Sequence, residues 1–322
     1  MSGSCSKDNC YDDLRCSLGN AHKKECPNWK DQEDKKNDEK SDFDFSEGSS
    51  HYLSWSGSSM GMDDINILTE RTTPLLLGSV GEANSGKTTF LGLLYLLLSD
   101  GQFLKNWSFS NSYSLLGWEY IANYLRYQSG NKSEFPPHTS SFGGRDVGLL
   151  HLGLFNNQSL YDTLFTDVPG EWFTNWSSNA SDFSAGNAGW INDNSRGFFL
   201  FIDCEALVNE PGKYRHRTRA LINRLLNDLN DKPVAVIWSK ADLYDKINEP
   251  VLKIIYREID KIPVKEEFRV SIFQGKGSSY HKNILKSVSW LMDKTNSKKK
   301  TGLFQFSSSE SDDFFISYRG KL

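Results

Sequence analysis

The sequence GSVGEANSGKTTF occupies residues 78–90, between the apolar runs Pro74–Leu77 and Phe90–Leu98. Its Gly81–Thr88 portion fits G-x-x-x-x-G-K-[ST], the phosphate-binding P-loop. Glycines let the backbone curl so that successive N–H groups point at phosphate oxygens. A helix that begins near Lys87 adds the positive end of its dipole. Because a strand and a helix flank the motif, as its mechanism requires, the stretch predicts a site for the phosphates of a nucleotide.

Two side chains of this loop have specific expected roles. Lys87 reaches the β- and γ-phosphates, and the Thr88 hydroxyl binds Mg²⁺. The predicted phosphate cradle runs from the first glycine to the second threonine and comprises Gly81, Glu82, Ala83, Asn84, Ser85, Gly86, Lys87, Thr88 and Thr89.

Length and composition limit the class of protein. The 322 residues suffice for one large domain or two smaller ones, and 38% hydrophobic residues supply a core. The net charge of −4 argues against a general nucleic-acid surface. We see no secretory signal at the N-terminus, and the longest apolar stretch is well short of the roughly 20 residues that cross a bilayer as a helix. We therefore expect a cytoplasmic protein with no membrane span.

From residue 74 onward, strand-like and helix-like segments alternate. Buried strands are predicted at PLLLGSV, GFFLFIDCEAL and KPVAVIWSKADL, and helices at RHRTRALINRLLNDLN, VLKIIYREIDK and KNILKSVSWLMDK. DVGLLHLGLF and LYDTLFTDVPG have the pattern of paired strands. The alternation predicts an α/β fold, with a mainly parallel sheet and helices on both of its faces.

Composition divides the chain into four predicted segments. Residues 1–29 are rich in cysteine, and residues 30–50 are charged and poor in aliphatic side chains, as in a flexible linker. The P-loop domain is predicted over residues 51–294. Residues 295–322, which include the runs SKKK and SSSESDD, are predicted to form a C-terminal tail.

A second motif follows the apolar strand LYDTLFT, where Asp167 and Gly170 have the spacing Asp-x-x-Gly. A carboxylate at this point holds Mg²⁺ through water, and the glycine N–H bonds the γ-phosphate, so that a loop starting there senses that phosphate. An ordinary Asp-Val-Pro-Gly turn is the alternative. The P-loop upstream favours the nucleotide interpretation.

A third motif, Ser239-Lys240-Ala241-Asp242, ends the buried strand AVIW. Here the chain resembles the TRAFAC-type GTPases, whose guanine-reading motif is Asn/Thr-Lys-x-Asp after a buried strand. The Asp242 carboxylate would accept from guanine N1 and the exocyclic amine, donors that adenine does not present together. The Lys240 stem would lie along the base. Ser239 cannot copy an asparagine amide, so a weaker preference for guanine is expected; a plain strand-to-helix turn is the alternative.

The resemblance covers residues 74 to about 294 and implies a Ras-like P-loop GTPase that converts GTP to GDP with Mg²⁺. It implies that Ser271 stands where such proteins present backbone to guanine O6. Glu171 occupies the place of the glutamine that orients the attacking water in many of them. There Glu171 either orients or deprotonates water, or slows hydrolysis by its negative charge. Thr139 is the best candidate for a second Mg²⁺ hydroxyl, and a solvated turn is an equal alternative.

The chain is also similar to bacterial double-GTPase proteins, which have a Trp-Ser-Gly stretch before the P-loop, here Trp55-Ser56-Gly57, and a cysteine-rich head. This similarity implies a role in bacterial conflict or antiviral defence with a protein partner. Arg145 and Arg196 flank the expected switch regions, but neither is an obvious arginine finger. We therefore expect slow turnover that a partner or dimerisation accelerates.

The head offers five candidate ligands for a four-coordinate metal: Cys5, Cys10, Cys16, His22 and Cys26. Thiolate and imidazole favour a structural zinc ion, and so short a segment has little else with which to fold. The alternative is a terminus without fixed structure that carries reduced thiols. The remaining cysteine, Cys204, is expected in the core.

Taken together, the motifs predict a GTP-dependent switch or assembly component. Two other functions remain compatible with the sequence. One is a scaffold that binds nucleotide but barely hydrolyses it. The other is an ATP-dependent small-molecule phosphotransferase, which would have no use for the Ser-Lys-x-Asp run.

Overall fold

The structure of the protein is a computed structural model. It describes residues 3–5, 29–31, 59–62, 64–69, 72–126, 147–157, 159–179, 186–272 and 277–297. The chain forms two compact units, residues 1–51 and 52–322. In the first unit, strands β1 (Gly3–Cys5) and β2 (Trp29–Asp31) pair antiparallel, with Cys5 opposite Trp29. The other predicted zinc ligands, Cys10, Cys16, His22 and Cys26, lie outside the described residues, as do Trp55-Ser56-Gly57, Thr139 and Arg145.

The second unit is built on a seven-stranded sheet. Its strands are β3 (Leu75–Val80), β4 (Ser108–Asn111), β5 (Gly148–Asn156), β6 (Ser159–Asp167), β7 (Gly197–Asp203), β8 (Val234–Ser239) and β9 (Lys265–Arg269). The order across the sheet is β4-β5-β6-β3-β7-β8-β9. Pairing is parallel from β6 through β9, whereas β5 runs antiparallel to both β4 and β6.

The described helices connect these strands. They are α1 (Ile65–Thr69), α2 (Lys87–Ser99), α3 (Leu115–Asn123), α4 (Gly170–Ser178), α5 (Gly186–Asn194), α6 (Cys204–Asn209), α7 (Pro211–Asp228), α8 (Glu249–Ile259) and α9 (Ser279–Ser297). A 3₁₀ helix, Ala241–Lys246, follows β8. No helix in the described part of the chain combines the length and apolar character needed to cross a membrane.

Both faces of the sheet are covered by helices, because alternate side chains of each central strand point to opposite sides. Leu76, Leu200 and Val236 face a core that also contains apolar residues of α4, α7 and α8. Leu77 and Phe201 face a second core, which contains residues of α2, α3 and α9. Every residue of β3, β7 and β8 is buried, which explains their unbroken apolar sequences.

The predicted α/β fold, with a mainly parallel sheet and helices on both faces, is therefore confirmed. Three features differ from the sequence analysis. The short edge strand β4 was not predicted, because its sequence SFSN is polar and half exposed. The residues after Asp167 form the helix α4 directly, because Trp172, Phe173 and Trp176 share one buried face. Finally, α9 continues to Ser297, so regular structure extends past residue 295.

Candidate nucleotide-binding site

The P-loop connects β3 to α2 by a turn with two left-handed residues. Asn84 has φ of 61° and Gly86 has φ of 85°. Gly86 is the N-cap of α2, and its carbonyl accepts the first helical hydrogen bond, from the N–H of Phe90. Glycine adopts this conformation without steric cost, which is why the motif requires it there. The turn leaves the N-terminus of α2 facing the inside of the loop, where an anion is favoured.

Lys87 folds back over the loop that precedes it. Its Nζ donates to the carbonyl oxygens of Gly81, at 3.0 Å, and of Glu82, at 2.8 Å. The residue is only 6% exposed. Burial lowers the pKa of Lys87 to about 8, although the charges of Asp167, Glu171 and Glu82 act in the opposite direction. The site thus holds a poorly hydrated cation that a phosphate would stabilise.

The second residue of α2 and the last residue of β6 place two oxygen atoms, both suitable as metal ligands, side by side. Thr88 Oγ1 donates to Asp167 Oδ1 at 2.7 Å. They meet because β6 lies parallel and adjacent to β3, so both strands end at the same edge of the sheet. Hard oxygen ligands of this kind suit Mg²⁺, which binds one or two protein oxygens together with substrate phosphates and water. Among the described residues no cluster of three or more His, Cys, Asp or Glu side chains forms an all-protein metal cage.

Gly170, the first residue of α4, lies directly against the P-loop backbone. A Cβ atom at this position would be 2.2 Å from the nitrogen of Ala83 and 2.3 Å from the carbonyl carbon of Glu82. These are main-chain atoms, which cannot rotate away. Glycine is therefore the residue that lets α4 begin at the phosphate site. Glu171 follows in the first turn of α4, where it is exposed.

The Ser-Lys-x-Asp motif lies at the ends of β8 and β9. The N–H of Ala241 donates to the carbonyl of Val270 at 3.0 Å, which ties the motif to the segment after β9. Ser271 Oγ donates to Asp242 Oδ1 at 2.5 Å. We expected backbone at Ser271 to face guanine, and the structure adds a side-chain role: the hydroxyl of Ser271 orients the Asp242 carboxylate.

A cavity of about 590 Å³ joins the two ends of the site. This volume is in the range of small-molecule and cofactor sites. Most of the predicted site residues line it, namely Ala83, Asn84, Ser85, Gly86, Lys87, Thr88, Thr89, Gly170, Glu171, Ser239, Lys240, Asp242 and Ser271. Asp167 is not a lining residue, but it accepts a hydrogen bond from Thr88, which is. Gly81 and Glu82 are not among the lining residues; they supply the carbonyls that hold Lys87.

The sequence model of the family Double-GTPase 2 matches residues 75–291, which is more than half of the chain. The chain belongs to the Double-GTPase 2 family. The prediction of a P-loop GTPase similar to double-GTPase proteins is thereby confirmed, and membership supports guanine-nucleotide binding. No curated protein matches the chain.

Two solved structures have a fold similar to that of this Double-GTPase 2 protein. One is the signal recognition particle receptor SRβ-GTP/SRX complex from Chaetomium thermophilum, with 17% identity and a TM-score of 0.40, covering 67% of this chain and 99% of that chain. The other is the Arl6 BBS3 small GTPase from Trypanosoma brucei with bound GppNp, with 14% identity and a TM-score of 0.38, covering 70% and 99%. Both TM-scores are below 0.5, and the family assignment comes from the sequence model.

Sequence reasoning missed two groups of ion pairs at the site. Glu82, at a variable position of the motif, pairs with Arg217 of α7, with Oε2 2.7 Å from Nε. Its other oxygen, Oε1, is buried and has no hydrogen-bond partner among the described residues. Lys240 pairs with Asp203 and Glu205, at the end of β7 and the start of α6. Neither pairing has a sequence signal, because the partners come from elements that only the fold brings together.

Glu82 is a buried acid whose protonation should affect stability. Its side chain is 7% exposed, and burial raises its pKa to about 7, from 4.5, although Arg217 and Lys87 act to lower it. The folded state therefore binds this proton more tightly than the unfolded chain does. Deprotonation of Glu82 consequently favours unfolding as the pH rises.

We expect Glu82→Gln to change the pH dependence of stability. Relative to this variant, the free energy of unfolding of the wild type should fall as the pH rises from about 4.5 to about 7, and then level off. The total change should be on the order of 1–3 kcal/mol. Denaturant unfolding of both proteins without nucleotide, at several pH values, measures it. Glu266→Gln, on the exposed side of β9, is the matched control, and parallel pH profiles for Glu82→Gln and wild type would contradict the assignment.

We further expect Gly170→Ala to disturb the phosphate site. Because the added methyl group meets main-chain atoms of the P-loop, the loop or α4 must move. The free energy of unfolding should fall by about 1–3 kcal/mol, and GTP affinity should fall with it. Gly212→Ala is the control, since a Cβ at Gly212 in α7 meets nothing within 4 Å. A Gly170→Ala protein with wild-type stability and affinity would show that α4 does not lie against the loop.

Proposed function

We propose that this protein hydrolyses GTP to GDP and phosphate and acts as a nucleotide-dependent switch or assembly component. The observation that carries the proposal is the single cavity that reaches from Lys87 and Thr88 at one end to Asp242 at the other. A site with this pair of ends fits a purine nucleoside triphosphate whose base is read by a carboxylate.

At the phosphate end, the backbone N–H groups of the P-loop and the ammonium of Lys87 hold the β- and γ-phosphates. Thr88 and Asp167 would hold Mg²⁺, whose positive charge neutralises the phosphates when it is bound. The hydroxyl and carboxylate already lie within hydrogen-bond distance of each other. Little rearrangement of the protein is therefore needed to form that site.

At the base end, Asp242 accepts hydrogen bonds from guanine N1 and from the exocyclic amine. Ser271 donates to one oxygen of this carboxylate and so fixes its plane. Adenine has an acceptor at N1, which would face the carboxylate with the wrong polarity. The arrangement therefore favours GTP over ATP, and it disfavours an ATP-dependent phosphotransferase.

In the proposed hydrolysis, a water oxygen bonds to the γ-phosphorus as the bond from that phosphorus to the β-γ bridging oxygen breaks. Glu171, which lines the cavity in the first turn of α4, accepts a hydrogen bond from this water and orients it. Among the described residues that line the cavity there is no arginine. We therefore propose slow turnover by the isolated protein and acceleration by a partner or a second copy that supplies the missing positive charge.

The same observations support a second candidate, a nucleotide-binding scaffold with negligible hydrolysis. Glu171 brings a negative charge close to the γ-phosphate, where charge already accumulates. Without a neighbouring cation, this charge opposes phosphoryl transfer. Single-turnover hydrolysis separates the two candidates.

We also propose that the cysteine-rich head, predicted over residues 1–29, is a zinc module ahead of the GTPase domain 51–294. The predicted linker 30–50 begins inside β2, and the predicted tail 295–322 begins inside α9. Four of the five ligands named above would bind the ion, because thiolate and imidazole are ligands that zinc prefers. The module would dock a protein partner in a bacterial conflict or antiviral-defence system, as the similarity to double-GTPase proteins suggests, and a cytoplasmic location fits reduced thiols. Metal analysis of protein purified under reducing conditions tests the zinc.

We expect GTP and GDP to bind much more tightly than ATP, and Asp242→Asn to remove most of the difference. Loss of a charged acceptor should weaken GTP binding by about 10- to 100-fold. Isothermal titration calorimetry with Mg²⁺ present measures both affinities. Asp245→Asn is the matched control, because Asp245 lies on the same 3₁₀ helix and is exposed. Equal affinities for GTP and ATP in the wild type would contradict guanine recognition.

Hydrolysis itself is measured with excess enzyme in a single turnover, for the wild type and for Glu171→Gln. We expect slow release of phosphate by the wild type, and a rate changed by Glu171→Gln with little change in GTP affinity. Tight GTP binding with no phosphate release would favour the scaffold, provided that adding further zinc-loaded copies of the protein does not start phosphate release.

A further inference from the structure

Asp203 lies at the junction of three elements beside the base end of the cavity. It is the last residue of β7 and the N-cap of α6, where its Oδ1 accepts from the N–H groups of Glu205, at 2.9 Å, and Ala206, at 3.2 Å. Its own N–H donates to the hydroxyl of Tyr214, a buried residue of α7, at 2.9 Å. Its side chain is 4% exposed. The carboxylate therefore has a fixed position before any ligand binds.

The remaining oxygen of this carboxylate binds the lysine of the base-reading motif. Lys240 Nζ donates to Asp203 Oδ2 at 2.7 Å and to Glu205 Oε2 at 2.8 Å. Glu205, which also lines the cavity, has a side chain that is 48% exposed. Of the two partners, Asp203 is the buried and rigid one, so it decides where the ammonium lies.

Lys240 also has an unfavourable backbone conformation, with φ of 51°. A non-glycine residue in the left-handed region persists only when its surroundings hold it there. The bond from the Ala241 N–H to Val270 holds one side of the turn, and the ion pair with Asp203 holds the side chain. Together they fix the direction in which the aliphatic stem of Lys240 crosses the cavity wall.

Ser239, which also lines the cavity, uses its hydroxyl to connect two strands. Its Oγ donates at 3.3 Å to the carbonyl of Ile202, on the neighbouring strand β7. The hydroxyl thus joins β8 to β7. The side-chain anchoring of the motif falls to the next residue, Lys240, through Asp203.

We propose that Asp203 is the positioning residue that sets base specificity at this site, because it anchors the Lys240 ammonium away from Asp242. Lys240 and Asp242 line the same cavity two positions apart. An unanchored ammonium would be attracted to the Asp242 carboxylate and would neutralise the acceptor that reads guanine. The inference rests on the proposed function of the site and adds to it the residue on which its selectivity depends.

The test uses the full chain and Asp203→Asn, which keeps the N-cap acceptor and the size of the side chain but removes the charge. GTP, ATP and inorganic tripolyphosphate are titrated into wild type and variant. We expect GTP affinity to fall by about tenfold or more, as for loss of one charge-assisted hydrogen bond, and the GTP-to-ATP ratio to fall with it. Tripolyphosphate, which contacts only the P-loop end, should bind the variant as it binds the wild type.

Three further variants complete the design. Asp203→Ser provides a second uncharged N-cap, so the prediction can be tested if the asparagine variant does not fold. Glu249→Gln removes an exposed ion pair of α8, which is remote from the cavity lining, and should leave all three affinities unchanged. Glu205→Gln should weaken GTP binding by less than the Asp203 variants do, because its carboxylate is half exposed.

The outcomes distinguish failure of the role of Asp203 from failure of the proposed GTP-binding function. Wild-type protein that binds GTP, with Asp203 variants that keep its affinity and its GTP-to-ATP ratio, would overturn the role of Asp203 alone. Variants that lose GTP and tripolyphosphate in parallel would show a general structural role and overturn it as well. Wild-type protein that does not bind GTP would overturn both the inference and the proposed function.

Discussion

The buried ammonium of Lys87 is the interaction on which the phosphate site depends. Two carbonyl oxygens of the P-loop hold it, and burial lowers its pKa to about 8. Carbonyl dipoles compensate a desolvated cation only in part, so a bound anion would stabilise the site. The left-handed turn at Gly86 and the N-terminus of α2 direct N–H groups to the same point. The sequence thus folds into a local structure whose unfavourable charge a polyphosphate relieves.

Two helices, α4 and α7, connect the P-loop to the rest of the fold. Gly170 brings the start of α4 against the loop backbone, and Arg217 of α7 holds Glu82 within it. The same helix α7 contacts α4, where the guanidinium of Arg224 lies 5.0 Å from the ring centre of Trp176. α4 therefore contacts the loop at Gly170 and α7 at Trp176. These are the contacts through which the proposed switch would act.

The sequence predicted features that depend on residues close together in the chain, and it did not predict contacts between distant residues. The strand–helix alternation, the P-loop and the two Asp-containing motifs are local patterns, and they were enough to predict a mainly parallel sheet with helices on both faces. Ion pairs between residues that are distant in the chain have no such pattern in the sequence. Glu82 gave no sign of Arg217, nor Lys240 of Asp203. Likewise, His151 of β5 pairs in the core with Asp162 on the neighbouring strand β6. Burial and strand order, rather than spacing, select these partners.

The most direct test of the account is the affinity of Lys87→Met for GTP with Mg²⁺, measured by calorimetry beside its stability without nucleotide. Lys213→Met, an exposed substitution on α7, is the control. We predict a loss of GTP affinity of about 100-fold with little net change in stability, because removal of the buried charge offsets the loss of its two hydrogen bonds to loop carbonyls. Unchanged GTP affinity, or a large loss of stability in the nucleotide-free protein, would contradict the central role of this ammonium.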